Sequence, residues 1–167
     1  GSIELKTGTA IEGSSGDISI ASGNAKNAGG VTIAVGSSTA SDGGDLTVSA
    51  GNSLSNDGEG GSVIVSSGKG TGSGSVSVMT GESNTSGNSG AISLATGTSI
   101  SGASGSVLLS SGSSEKGKSG NISLRSGSSD EGSGGSISVS AGEGNASGNG
   151  GDVIVNAGDS KGSGVSG

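Results

Sequence analysis

The chain reads as all-β, a narrow parallel β-solenoid (β-helix) of about eleven coils of ~15 residues. Three observations predict this. A motif x-U-x-U-x-[STA]-G, with U aliphatic, returns eleven times, Val35 taking the small position in one copy; the length varies almost entirely between one motif and the next; and Gly-Gly or Ser-Gly precedes most motifs. The motif closes at Gly8, Gly23, Gly36, Gly51, Gly68, Gly81, Gly97, Gly112, Gly127, Gly142 and Gly158, so the period wavers about a mean near fifteen without drifting.

Each motif is justified as a strand by its period of two. The aliphatic pairs are Ile3/Leu5, Ile18/Ile20, Val31/Ile33, Leu46/Val48, Val63/Val65, Val76/Val78, Ile92/Leu94, Val107/Leu109, Ile122/Leu124, Ile137/Val139 and Val153/Val155. Residues i, i+2 and i+4 of a strand share one face, so Ile122, Leu124 and Ser126 point inward and Asn121, Ser123 and Arg125 outward. One such strand cannot bury a face by itself, whereas stacked copies align their aliphatics in ladders. After each closing Gly comes G-x-[SAG], including Ser38, Ser53, Ser83, Ser99, Ser114 and Ser129, which predicts a second, thinner inward stripe. Pairs such as Ser15-Gly16, Gly43-Gly44, Gly60-Gly61 and Gly134-Gly135 precede the next strand. Glycine there supplies positive φ and lets backbone approach backbone. At ~4.8 Å per strand, eleven coils predict a rod roughly 50 Å long. A second architecture has the same periodicity: three chains intertwined in a trimeric β-helical fibre, each giving one side. The regular Ser/Ala/Gly stripe favours the single-chain form.

Composition narrows function by exclusion. Of 167 residues, 40 are Gly and 42 Ser, with no Phe, Trp, Tyr, Cys, His or Pro and one Met. Such a composition belongs by default to disordered linkers, but eleven unbroken aliphatic pairs argue for a folding instruction. Lacking Cys and His, the chain can form no disulfide and lacks the usual ligands of zinc, haem and iron–sulfur clusters; no metal site and no cofactor is expected. An enzyme is not expected either: the commonest general base is missing, and the one adjacent acidic pair, Asp130-Glu131, sits in a loop. Seven basic residues against fourteen acidic ones, net charge −7, argue against nucleic acid. No apolar run approaches a membrane span, and no signal peptide opens the chain.

Several local motifs are discounted. Gly43-Gly-Asp45 and Gly150-Gly-Asp152 are similar to the calcium-binding G-G-x-G-x-D nonapeptide, but the period differs and the Asp does not recur. Asn84-Thr-Ser86, Asn121-Ile-Ser123 and Asn145-Ala-Ser147 fit the glycosylation pattern. About three such triplets are expected by chance from this composition.

The outward strand positions form the candidate interaction face: Ser19, Ala21, Thr32, Ala34, Thr47, Ser49, Ser66, Ser77, Ser93, Ala95, Ser110, Ser123, Ser138 and Ser140. Ile64, Met79, Leu108, Arg125 and Ile154 interrupt it; beyond the first repeat, Arg125 is its only charge. Ser and Ala are poor strand formers, so their repeated use outward points to close approach by another surface.

The unit Ser119-Gly-Asn-Ile-Ser-Leu-Arg-Ser-Gly-Ser-Ser129 resembles long Ser/Gly-rich repeat regions of extracellular or cell-wall proteins of microalgae, and the resemblance spans the whole chain. It implies an exported surface or matrix component without enzymatic activity. Residues 1–167 are read as a single repeat array, an excerpt of a longer one, with Gly1-Ser2 suggesting a processed or recombinant fragment and Gly162–Gly167 trailing off uncapped. The expected function is a non-catalytic structural or adhesive module of an extracellular or cell-surface protein. It would act as a rigid rod packing laterally with copies of itself, as a homo-oligomer, or with other matrix components. The alternative is ice binding by the flat Ser/Thr/Ala face, where ladder and i to i+2 spacings would form a regular grid.

Overall fold

The computed structural model describes residues 1–84, 86–145 and 147–160. The tail Gly162–Gly167 and the central residues of the Asn84 and Asn145 triplets lie outside them. Two units divide the chain, Gly1–Met79 and Thr80–Gly167, and the boundary cuts through the motif that closes at Gly81.

The expected β-solenoid is overturned. Among the described residues there is no helix and no strand, hence no sheet, no coil of a β-helix and no side of a trimeric fibre. Each aliphatic motif is instead a run free of bends and turns. The chain bends between runs, at residues 11–13, 26–27, 39–41, 55–57, 70–72, 86–87, 100–102, 115–117, 130–132 and 147–148. The backbone bonds outside regular structure lie within the loops or across their feet, and none pairs the aliphatic stretch of one run with that of another. The physical reason lies in the content of each repeat. A coil brings only two aliphatics to set against the ordering of a whole repeat rich in Gly, which loses the most conformational freedom on folding. Ser, Ala and Gly opposite the pair add almost no apolar area, so a thin core returns little for that order.

Local closure does form, at the foot of nine of the ten loops between runs; the exception is Gly30, where nothing lies within 4 Å of an added Cβ. The N–H of Gly61 donates to the Gly51 carbonyl at 2.9 Å, Gly74 to Gly68 at 3.1 Å, Gly135 to Gly127 at 3.0 Å and Gly151 to Gly142 at 3.0 Å. In these four the acceptor is the Gly closing one run, and the donor is the Gly that opens the next. Beside it, the small residue before the closing Gly packs on the donor Gly. A methyl group added to Gly61 would stand 3.3 Å from the Ala50 Cβ, and one on Gly135 would stand 3.2 Å from the Ser126 Cβ. The same approach joins Gly16 to Thr7, Gly74 to Ser67, Gly90 to Thr80, Gly105 to Thr96, Gly120 to Ser111 and Gly151 to Ala141, and at Gly44 the larger Val35 stands in the same place. The loop from Ser67 to Gly74 is the shortest of these and the loop from Ala50 to Gly61 the longest, yet the same two positions meet in both. Length variation is therefore taken up in the loop, as the spacing predicts.

Positive φ, by contrast, is confined among the described residues to Gly13, at 90°. The paired glycines serve close approach and not left-handed turns.

Candidate functional site

The position before the closing Gly is the best-covered part of the molecule. Thr7, Ala50 and Ser126 are half-buried, and every other described residue is exposed. Ile3 is 101% exposed, whereas the first aliphatic of each later pair is 50–62% exposed, Val31 at 52% among them although no contact closes at Gly30 before it. The second member, farther along the run, is 67–90% exposed. Both aliphatics of all eleven pairs thus remain open to solvent, and none of the described residues forms a buried core.

All fourteen residues of the predicted face are exposed: Ser19, Ala21, Thr32, Ala34, Thr47, Ser49, Ser66, Ser77, Ser93, Ala95, Ser110, Ser123, Ser138 and Ser140. Each lies on a run, but no sheet joins one run to the next, so the flat ladder expected of them is not assembled. The i to i+2 relation survives inside a run. Lys6 Nζ lies 3.1 Å from Glu4 Oε1, the two outward positions of the first motif. Both side chains are exposed, so the pair adds little to stability.

The serines expected to line a second inward stripe do something else. Ser99 Oγ accepts the Gly102 N–H at 3.0 Å, Ser114 Oγ the Gly117 N–H at 2.9 Å and Ser129 Oγ the Gly132 N–H at 2.9 Å. Ser38 Oγ takes the Ser41 N–H at 3.1 Å, and the Ser83 hydroxyl donates to the Gly87 carbonyl at 2.8 Å. Short hydroxyl side chains bonding to nearby backbone stabilise turns at the expense of regular structure. The stripe is a set of turn caps facing solvent. Its signal was present in the sequence as S-x-x-G at Ser99, Ser114 and Ser129.

No pocket opens among the described residues, and among them no three acidic side chains converge as a metal site would require. Among the described residues no helix is long and apolar enough to cross a membrane. What the chain presents to a partner is a repeated pair of exposed aliphatics, with its charges set apart. Asp17, Asp45 and Asp152 stand at run starts, and Glu115, Lys116, Asp130 and Glu131 stand in the bends. Comparison with protein-family models, with curated proteins and with solved structures found no match to this chain.

Proposed function

We propose that the chain is a non-catalytic structural or adhesive repeat module of an extracellular or cell-surface protein, and that it works by associating with copies of itself. The observation that carries this reading is the exposure of the twenty-two aliphatics of the eleven pairs, each 50% or more open to solvent. Burying one such side chain is worth about 1.5–3 kcal/mol, so a surface of this kind drives association. The extracellular setting draws on the resemblance to microalgal matrix repeats and is compatible with the lack of Cys.

Sedimentation velocity over a wide concentration range tests the proposal, followed by interference optics because the chain has no Trp or Tyr. Species larger than the monomer that grow with concentration are expected. A strict monomer throughout would overturn it.

A further inference from the structure

We infer that Asn149-Gly150 is a site of self-modification, where the chain closes a succinimide ring on itself and opens it to aspartate and isoaspartate, altering the junction beside it. The inference is independent of the self-association proposed above.

The reaction needs a carboxamide carbon as electrophile and the backbone nitrogen of the next residue as nucleophile. A side chain on that next residue obstructs the approach, and glycine has none. The chain holds ten Asn, and Asn149 alone is followed by Gly; the others precede Ala, Ser, Thr, Asp or Ile. A helix or sheet blocks the same step by engaging the N–H in a hydrogen bond and fixing the backbone angles. Neither is present among the described residues, and Asn149 and Gly150 are both exposed. The backbone bonds described in this loop are donated by Gly148 to the Asn145 carbonyl and by Gly151 to the Gly142 carbonyl, each at 3.0 Å, and the Gly150 N–H takes part in neither. Asn145 uses its side chain differently, since its Oδ1 accepts the Ser147 N–H at 3.5 Å. Asp42-Gly43 and Asp57-Gly58 offer the same glycine, but an ionised carboxylate is a poor electrophile, and the Gly58 N–H donates to the Ser55 carbonyl at 3.4 Å.

In the first step the Gly150 nitrogen gives up its proton and bonds to Asn149 Cγ. The bond from Cγ to Nδ2 breaks, and Nδ2 leaves with a proton as ammonia. Water then adds to one of the two ring carbonyls. Opening at Cγ gives aspartate at position 149; opening at the main-chain carbonyl leaves the chain running through Cβ and Cγ, as isoaspartate. One water is consumed, one ammonia is released, and one carboxylate joins a chain of net charge −7.

The isoaspartyl link lengthens the main chain by one methylene and leaves a carboxylate pendant on it. That extra atom falls at the foot of the loop, where length is not absorbed. Gly150 itself lies against Gly142, whose carbonyl oxygen would stand 3.5 Å from an added methyl, and Gly151 lies against Ala141, whose Cβ would stand 3.5 Å from one. The Gly151-to-Gly142 bond therefore loses its register.

The test incubates the purified full chain at neutral pH over days to weeks and maps it by trypsin digestion and mass spectrometry. Ser126–Lys161 is released as one peptide bearing Asn145, Asn149 and Asn156, and its fragments place the change. Asn149 is expected to convert several times faster than any other Asn, to a mixture of aspartate and isoaspartate, with faster exchange of the Gly151 amide in the isoaspartyl fraction. Gly150→Ala should slow conversion severalfold. Its added methyl makes only an ordinary contact with Gly142, so the variant keeps the junction, and Gly151 exchange before incubation verifies this. Conversion at Asn149 no faster than at Asn88, which precedes Ser in another exposed loop, overturns the site. Aspartate without isoaspartate overturns ring closure in favour of direct hydrolysis. Unchanged Gly151 exchange in the isoaspartyl species overturns the effect on the junction.

Discussion

At the scale of single residues, the chain uses its glycines unequally, and the division runs against their prominence in the motif. The eleven closing glycines have open space where a side chain would go: nothing lies within 4 Å of a Cβ added at Gly97, Gly112 or Gly127. The opening glycines, Gly30 excepted, do not. At Gly135 an added methyl meets the Ser126 Cβ at 3.2 Å and the Gly127 amide nitrogen and carbonyl oxygen at 3.7 Å. Gly135→Ala should therefore weaken the Gly135-to-Gly127 bond. A backbone hydrogen bond is worth about 0.5–1.5 kcal/mol net, so exchange of the residue-135 amide should accelerate roughly two- to tenfold. Gly127→Ala should leave that amide unchanged or slow its exchange, because removing a Gly restricts the unfolded chain. Equal exchange in the two variants would refute the junction. A second contrast concerns the turn caps. Ser129→Ala should free the Gly132 amide, while Ser129→Asp keeps an acceptor in place. Nuclear magnetic resonance of Gly132 checks this, with faster amide exchange expected in the alanine variant only.

At the scale of the repeat, what could be read in advance separates cleanly from what could not. Alternation of Ile122, Ser123 and Leu124 predicts which side chains share a side of a run, and the Glu4–Lys6 ion pair agrees with that reading. Close approach at the Gly-Gly and Ser-Gly positions was legible, but its partner, the residue before the closing Gly, was not, because alternation assigns that residue to the inward face. Alternation says nothing, however, about whether one run hydrogen-bonds to the next. That depends on how much apolar area each repeat buries, and two aliphatics facing Ser and Gly are too few to impose a sheet within one chain. The role of Ser99, Ser114 and Ser129 was obscured because a period measured from the closing Gly fits an inward stripe as well as a turn cap. The candidate face is not assembled as a surface, since a surface requires the sheet, and exposure does not mark its residues out, because all but three of the described residues are exposed. Closure of the short Ser67–Gly74 loop and the long Ala50–Gly61 loop on equivalent positions also makes a prediction. Inserting Gly-Ser after Gly70, in the shortest loop, should cost under about 0.6 kcal/mol, the penalty of doubling a flexible loop. The Gly74-to-Gly68 bond should persist, and the methyl resonances of Val63, Val65, Val76 and Val78 should not move. Loss of the Gly74 amide protection on insertion would show that loop length, and not the paired positions, sets the junction.

At the scale of the whole molecule, exposed aliphatics and net charge act in opposite directions on association, and their balance can be shifted from outside. Fourteen acidic groups against seven basic ones give −7 at pH 7, with a pI near 4.3. In the proposed self-association each added copy would bring the same negative charge, which would keep chains apart while the aliphatic pairs would draw them together. Lowering the pH from 7 protonates carboxylates, so the net charge shrinks toward zero near 4.3 and repulsion fades. Association should strengthen severalfold over that interval and weaken again at lower pH, where the chain turns cationic. Salt should act in the same direction at pH 7, because at ~0.15 M ionic strength charges are screened beyond about 8 Å while apolar contacts are not. Static light scattering across a pH series at low salt, and across a salt series at pH 7, measures both effects. Scattering that peaks near the pI and rises with salt is expected. Scattering that falls with added salt would mean that attraction between opposite charges, such as Lys116 and Asp130 on different copies, holds the assembly, and the aliphatic pairs would lose their place as its contact surface.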